Sequence, residues 1–207
     1  MVHLHELDFV DFFEENLDRD DFHEILRRRI AFSCKGSKCK ARGRFSVHQC
    51  SKEIYRLMDK FKSENISSFL EVGVEFGGMF FCMDSFLRSV NPDFEGSTGL
   101  DIKTTELMES RYPNYHAKYP TAKYVIGDCF DFAPDKKYDF IFIDNNLKYN
   151  RMKECFHQYL PHATRYIGFH DIKDGRYGAK RLWEELEQEY ETETFVHSLA
   201  GIGLITL

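Results

Sequence analysis

The sequence predicts a three-layer α/β sandwich built on a seven-stranded, mainly parallel sheet whose last strand is antiparallel, with a helical cap at the N-terminal end. Three observations carry this. From residue 67 onward short apolar runs alternate with helical patterns, which is the sequence form of βαβ units. Two final strand-like segments, 192–198 and 201–207, are separated by only Leu199 and Ala200, too few residues for a helical crossover, so they pair as an antiparallel hairpin. Before about residue 66 the apolar periodicity is helical instead. Residues 1–65 are thus expected to form a cap able to close over a substrate, and residues 66–207 the α/β domain.

In the first region helical patterns cover 4–17, 21–30 and 48–61. In the last of these Ile54, Tyr55, Met58 and Phe61 fall on one face. The segment 33–44, rich in Gly, Ser, Lys and Arg, reads as a loop. Strands follow at 68–74, 97–102, 123–127, 138–143 and 164–169, and helices at 78–87, 104–112, 149–160 and 178–190. Pro161 stops the third of these helices, while Leu182, Trp183, Leu186 and Tyr190 give the fourth a core-facing stripe.

With 207 residues, 43% of them apolar and 15% aromatic, the chain can bury a substantial core, which excludes a disordered or collagen-like protein. No window reaches the ~18 apolar residues of a membrane span, and the first residues carry acids where a secretory leader carries bases, so a soluble cytoplasmic protein is expected. Six irregularly spaced Cys fit reduced thiols. A net charge of -6 argues against bulk nucleic-acid binding, yet the charge is uneven. Residues 1–26 hold nine acids and one base, and residues 27–44 hold eight bases and no acid.

In an open α/β sheet ligands bind beyond the carboxyl ends of the strands. Here each of the first five ends carries an acid: Glu71-Val-Gly73-Val74-Glu75-Phe76-Gly77-Gly78, then Asp101, Gly127-Asp128, Asp144, and His170-Asp171. The glycines of the first loop suit either a close approach of backbone to ligand or tight packing of strand on helix; the dinucleotide pattern GxGxxG is absent. Asp101 could accept two hydrogen bonds from a ribose diol, or serve a turn or helix cap.

With these motifs in order, the sequence resembles the class I S-adenosylmethionine-dependent methyltransferases over about residues 66–207. More narrowly, Phe142-Ile143-Asp144, Gly168-Phe169-His170-Asp171-Ile172 and 179–186 look like the metal-dependent O-methyltransferase branch, which includes catechol-type, macrocin-type and cephalosporin-hydroxylase-like sequences. The resemblance implies that Glu71, Gly73, Val74, Glu75, Phe76, Gly77 and Gly78 surround the methionine end of S-adenosyl-L-methionine. It places Asp101 on the ribose and Gly127, Asp128 and Cys129 at the adenine, with Asp144 bordering the cofactor.

Asp144 and Asp171 end neighbouring parallel strands ~4.8 Å apart, so their carboxylates could converge on one hard cation such as Mg²⁺, with His170 a further ligand. They could equally cap loops or touch the cofactor, and His170 could bond to backbone. The resembling enzymes read Asp-Gly-x-His-x-Tyr after the fourth strand; this chain reads Asp144-Asn-Asn-Leu147-Lys148-Tyr149. Without that His, Lys148 or His170 is left to take the proton. The activity expected is methyl transfer to a hydroxyl of a small molecule or sugar. Two rival readings stand beside it. Segment 27–44 would serve an RNA or cap-ribose methyltransferase, or form a solvated loop paired with the acidic first helix. Loss of the His at Leu147 would suit a non-catalytic cofactor-binding module. Cys34, Cys39, His48 and Cys50 have a spacing outside the common zinc frameworks.

Overall fold

The computed structural model describes residues 49–197 and 200–207. The expected helices before residue 48, the basic segment 27–44, and Cys34, Cys39 and His48 lie outside these residues; Cys50 is described and buried.

Helix α1 (Ser51–Phe61) leads into β1 (Ser68–Val72), α2 (Gly78–Val90), β2 (Gly96–Asp101), α3 (Glu106–Lys118), β3 (Ala122–Ile126) and β4 (Tyr138–Ile143). Then come α4 (Tyr149–Tyr159), a 3₁₀ turn at Leu160–His162, β5 (Ala163–His170), α5 (Gly178–Glu189), β6 (Glu191–Phe195) and β7 (Ile202–Thr206). The seven strands lie in the order β3-β2-β1-β4-β5-β7-β6, and β7 runs antiparallel to both of its neighbours. The seven-stranded sheet and the closing hairpin are as the sequence predicts.

Alternation along the central strands sends side chains to two cores. Phe69, Phe140 and Phe142 face the cluster made with α1, α2 and α3, whereas Leu70, Ile141 and Ile143 face α4 and α5. Helix α1 is built into the first layer: Ile54, Leu57, Met58 and Phe61 are buried, and the Phe61 ring lies 4.8 Å from that of Phe140 and 5.2 Å from that of Tyr166. The last helix of the expected cap therefore shares the core of the sandwich.

Among the boundaries that differ from the expectation, two show their physical reasons plainly. Strand β1 stops at Val72 because Gly73, at φ 96°, turns the chain out of the sheet. Helix α3 runs six residues past Tyr112, through Pro113, to Lys118. Proline forfeits one helical hydrogen bond, and tertiary contacts outweigh that loss. Tyr115 packs on Phe81 at 4.7 Å and its hydroxyl donates to Asp84 at 2.5 Å. Asp84 is fully buried and also accepts a two-pronged bond from Arg88 (2.7 and 2.9 Å) and one from the Ser97 hydroxyl (2.5 Å), so one satisfied carboxylate ties α2, α3 and β2 together.

Candidate active site

Strand order reverses between β1 and β4, and the loops leaving the carboxyl ends of β1, β2, β4 and β5 gather there. Gly73 shows why that gathering is tight. Its amide donates to the Leu100 carbonyl at 2.8 Å, and a Cβ on it would stand 2.1 Å from the Asp144 carbonyl oxygen. Gly77, at φ 89°, leaves no room beside Met108 and Phe81. Both glycines are thus demanded by packing and backbone angle. Between them Glu75 adopts φ 49° and its amide donates to Asp101 Oδ2 at 2.6 Å, so Asp101 steadies the first loop. Val74 is core, Phe76 is half-buried and Gly78 opens α2.

Glu71, one residue before the end of β1, is buried, and its Oε2 has no hydrogen-bond partner among the described residues. Burial, then the charges of Asp144 and Asp101, push its carboxyl well above the usual range. An acid so placed calls for a cationic neighbour. On the other side of Asp101, Ile102 and Ile126 are 67% and 58% exposed, and Ile126 is the register partner of Asp101. This apolar surface beside a carboxylate was not singled out by sequence reasoning; Ile following Asp at a strand end was its only signal.

After β3, Asp128 accepts from the Phe130 amide at 2.9 Å, and its carbonyl from the amides of Asp131 and Phe132, so it organises a turn. Gly127 is open, its nearest neighbour to a Cβ being Leu100 at 3.8 Å. The Cys129 carbonyl accepts from Tyr159 (2.8 Å) and Gln158 (2.7 Å), fastening this turn to α4. A hydrogen bond from Cys155 lowers the Cys129 thiol below its usual range against the effect of burial.

Beyond β4 and β5, Asp144, His170 and Asp171 offer ligand atoms that all lie within 4.8 Å of one another. His170 Nδ1 sits 3.1 Å from Asp144 Oδ1 and 3.7 Å from Asp171 Oδ1. Asp171 stands in the left-handed region at φ 60°, which Asp tolerates better than most residues and which is typical of functional sites. Burial opposes the charge on His170, but Asp144, Asp171 and Glu53 outweigh it and lift the imidazole to about 9, so it carries its proton at neutral pH. Burial likewise raises the Asp171 carboxyl, with Asp144 adding and His170 opposing. His170 Nε2 is buried and has no partner among the described residues.

The remaining expected residues divide. Lys148 places its Nζ 3.2 Å from the Arg176 carbonyl, at the rim. Leu147 packs with the core under α4 and α5. Two residues that sequence reasoning missed reach the cluster from the start of α1. Gln49 donates from Nε2 to Asp144 Oδ2, and the fully buried Glu53 accepts from the His197 amide at 2.6 Å. The chemistry open to this arrangement is capture of a hard cation by two carboxylates, with the imidazole a third donor only once the cation has displaced its proton.

No family model and no curated protein sequence matches the chain. Solved structures do. The O-methyltransferase TomG from Streptomyces achromogenes, involved in tomaymycin synthesis and solved with SAM, aligns with a TM-score of 0.57 at 13% identity over 100% of this chain and 99% of its own. An O-methyltransferase from Bacillus cereus, in complex with SAH, gives 0.56 at 15% identity over 95% and 96%. The N-methyltransferase NodS from Bradyrhizobium japonicum WM9 gives 0.53 at 13% identity over 73% and 92%. The chain has the fold of the class I S-adenosylmethionine-dependent methyltransferases.

Proposed function

We propose that this protein is an S-adenosylmethionine-dependent O-methyltransferase acting on a hydroxyl of a small molecule or sugar, assisted by Mg²⁺. The observation that carries the reading is the convergence of Asp144, His170 and Asp171 at the strand-order reversal, beside Glu71, whose buried Oε2 has no hydrogen-bond partner among the described residues.

The cofactor fits the residues present. S-adenosylmethionine supplies an electrophilic methyl on a sulfonium and carries an ammonium, a ribose diol and a purine. Glu71 answers the cationic methionine end, with residues 73–78 shaping the surface around it. Asp101 accepts from the diol, and Ile102 and Ile126 provide the exposed apolar surface that a purine covers. Gly127 leaves space and Asp128-Cys129 gives the edge of that subsite. Asp144 borders both the cofactor and the acceptor.

Asp144 and Asp171, with His170 once it has released its proton, would hold the cation, which as a Lewis acid would lower the pKa of a bound hydroxyl. The residues of the chain would orient acceptor and methyl in line and exclude water, and the bound cofactor would supply a sulfonium whose charge is cancelled by that of a deprotonated hydroxyl. Of the two candidate bases, His170 lies inside the cluster and Lys148 stands at its rim. The deciding experiment is calorimetric titration of S-adenosylmethionine, then of Mg²⁺ into the cofactor-bound protein, followed by methyl transfer to a panel of hydroxyl acceptors with and without chelator. Failure of the cofactor to bind would overturn the reading; cofactor binding with chelator-insensitive transfer would remove the cation from it.

A further inference from the structure

We propose that Gln49 is a ligand of the cation site, its side-chain oxygen turning toward the metal that Asp144 and Asp171 hold; this inference rests on the cation reading above. Gln49 is 4% exposed and immediately precedes Cys50, whose carbonyl accepts from the amides of Glu53 (2.9 Å) and Ile54 (3.1 Å) and starts α1. Helix α1 is itself fixed in the core by Ile54, Leu57, Met58 and Phe61. The carboxamide is therefore delivered to Asp144 by a rigid element.

The two ends of that carboxamide are unequally used. Its Nε2 donates to Asp144 Oδ2, while its Oε1 is buried without a hydrogen-bond partner among the described residues. A carboxamide has an N–H end and a carbonyl end of nearly the same shape, related by a half-turn about its last torsion. Facing a bare carboxylate the N–H end is selected; facing a dication the carbonyl end is. Hard divalent cations take six or more oxygen ligands and accept Gln carbonyls among them. Asp144, His170 and Asp171 offer one ligand atom each to the group, and the half-turn adds a neutral oxygen beside Asp144. The half-turn gives Oε1 the cation as its partner and moves Nε2 into the place Oε1 had.

The test is titration of Mn²⁺, followed through the loss of the free-ion electron paramagnetic resonance signal, into the full-length wild-type chain and the variants Gln49→Met and Gln49→Glu. Melting curves establish that each variant is folded. Met keeps length and volume but has no oxygen, and a roughly tenfold or greater weakening of Mn²⁺ binding is expected. Glu has the oxygen and lacks the N–H, and equal or tighter binding than wild type is expected. Weakening in Gln49→Glu as well would mean that Gln49 serves only through its N–H, as a positioning residue for Asp144, and would overturn the ligand role. Wild-type affinity in Gln49→Met would overturn it too, with the cation reading left standing. Absence of Mn²⁺ binding in the wild type would remove the cation reading and the ligand role together. If Gln49→Met fails to fold, the comparison of Gln49→Glu with wild type decides alone, tighter binding supporting the role and weaker binding refuting it.

Discussion

Asp139 accepts three hydrogen bonds, from the amide and hydroxyl of Ser67 at 2.8 and 2.6 Å and from the Thr164 hydroxyl at 2.7 Å. Burial works to raise its carboxyl, but these bonds and the charge of Arg165 prevail and hold it below its ordinary value. A folded value below the unfolded one stabilises the protein above the unfolded pKa, and that contribution is lost as pH falls through the folded value. Asp139→Asn should therefore cost about 1 kcal/mol at neutral pH, with the gap to wild type closing as pH falls below the ordinary carboxyl value of 3.8, as read from urea midpoints. At the cofactor subsite, Asp101→Ala should abolish most of the rise in melting temperature that S-adenosylmethionine produces, since ligand linkage scales with affinity and the diol would lose its acceptor. A full shift in the variant would move the ribose elsewhere. Asp171→Asn should eliminate Mg²⁺ binding in calorimetry and leave cofactor binding near wild type. The acids at these positions were legible in the sequence because a strand end followed by Asp is a local pattern. Gln49 was not, because a polar residue ahead of a helix has no periodicity to betray a partner 95 positions away.

Each element owes its limits to what it packs against. Helix α3 shows where local rules stop: Pro113 marks a boundary in the sequence, and only the contact of Tyr115 with Phe81 and Asp84 explains why the helix continues. The hairpin was legible because a two-residue separation forbids a crossover, yet its fit to α5 was not. Gly203 of β7 lies under Trp183, where an added Cβ would come within 2.6 Å of the indole ring. Gly203→Ala should force that ring to shift and destabilise the protein by about 1–3 kcal/mol in chemical denaturation. An unchanged midpoint would show that the β7–α5 interface yields easily. Helix α1 offers the opposite experiment, removal of a large side chain from the core. Phe61 is fully buried between Phe140 and Tyr166, so Phe61→Ala should cost about 3–5 kcal/mol. Because α1 carries Glu53 and Gln49 lies just ahead of its first turn, the loss should reach the candidate site, and Mn²⁺ affinity should fall together with stability.

Across the whole molecule, alternating apolar runs and helical stripes made the sheet legible before any contact was known, and the strand-order reversal then places the loop acids together. What the sequence withheld is how far those acids lose contact with water. Glu71 is buried with one oxygen unbonded among the described residues, and burial together with Asp144 and Asp101 raises its carboxyl well above the unfolded value of 4.5. For a carboxyl raised on folding, the native state binds the extra proton, so stability is full below the unfolded pKa and declines as pH rises toward the folded value. The ligand-free protein should then be progressively less stable from about pH 4.5 upward on account of this buried carboxyl. Glu71→Gln keeps the shape and removes the charge. Its melting temperature without ligand at neutral pH should exceed that of wild type, by about 2–4 °C for each kcal/mol recovered, and the excess should shrink as pH is lowered toward 4.5. The same variant should bind S-adenosylmethionine more weakly if Glu71 is, as proposed, the group that meets the cationic methionine end, because that group has become neutral. Higher stability joined to weaker binding would mark Glu71 as an acid kept for its ligand at the expense of the empty fold. A variant that melts below wild type at neutral pH would show instead that the Glu71 carboxylate is satisfied within the folded chain, and its place in the cofactor site would fall with that result.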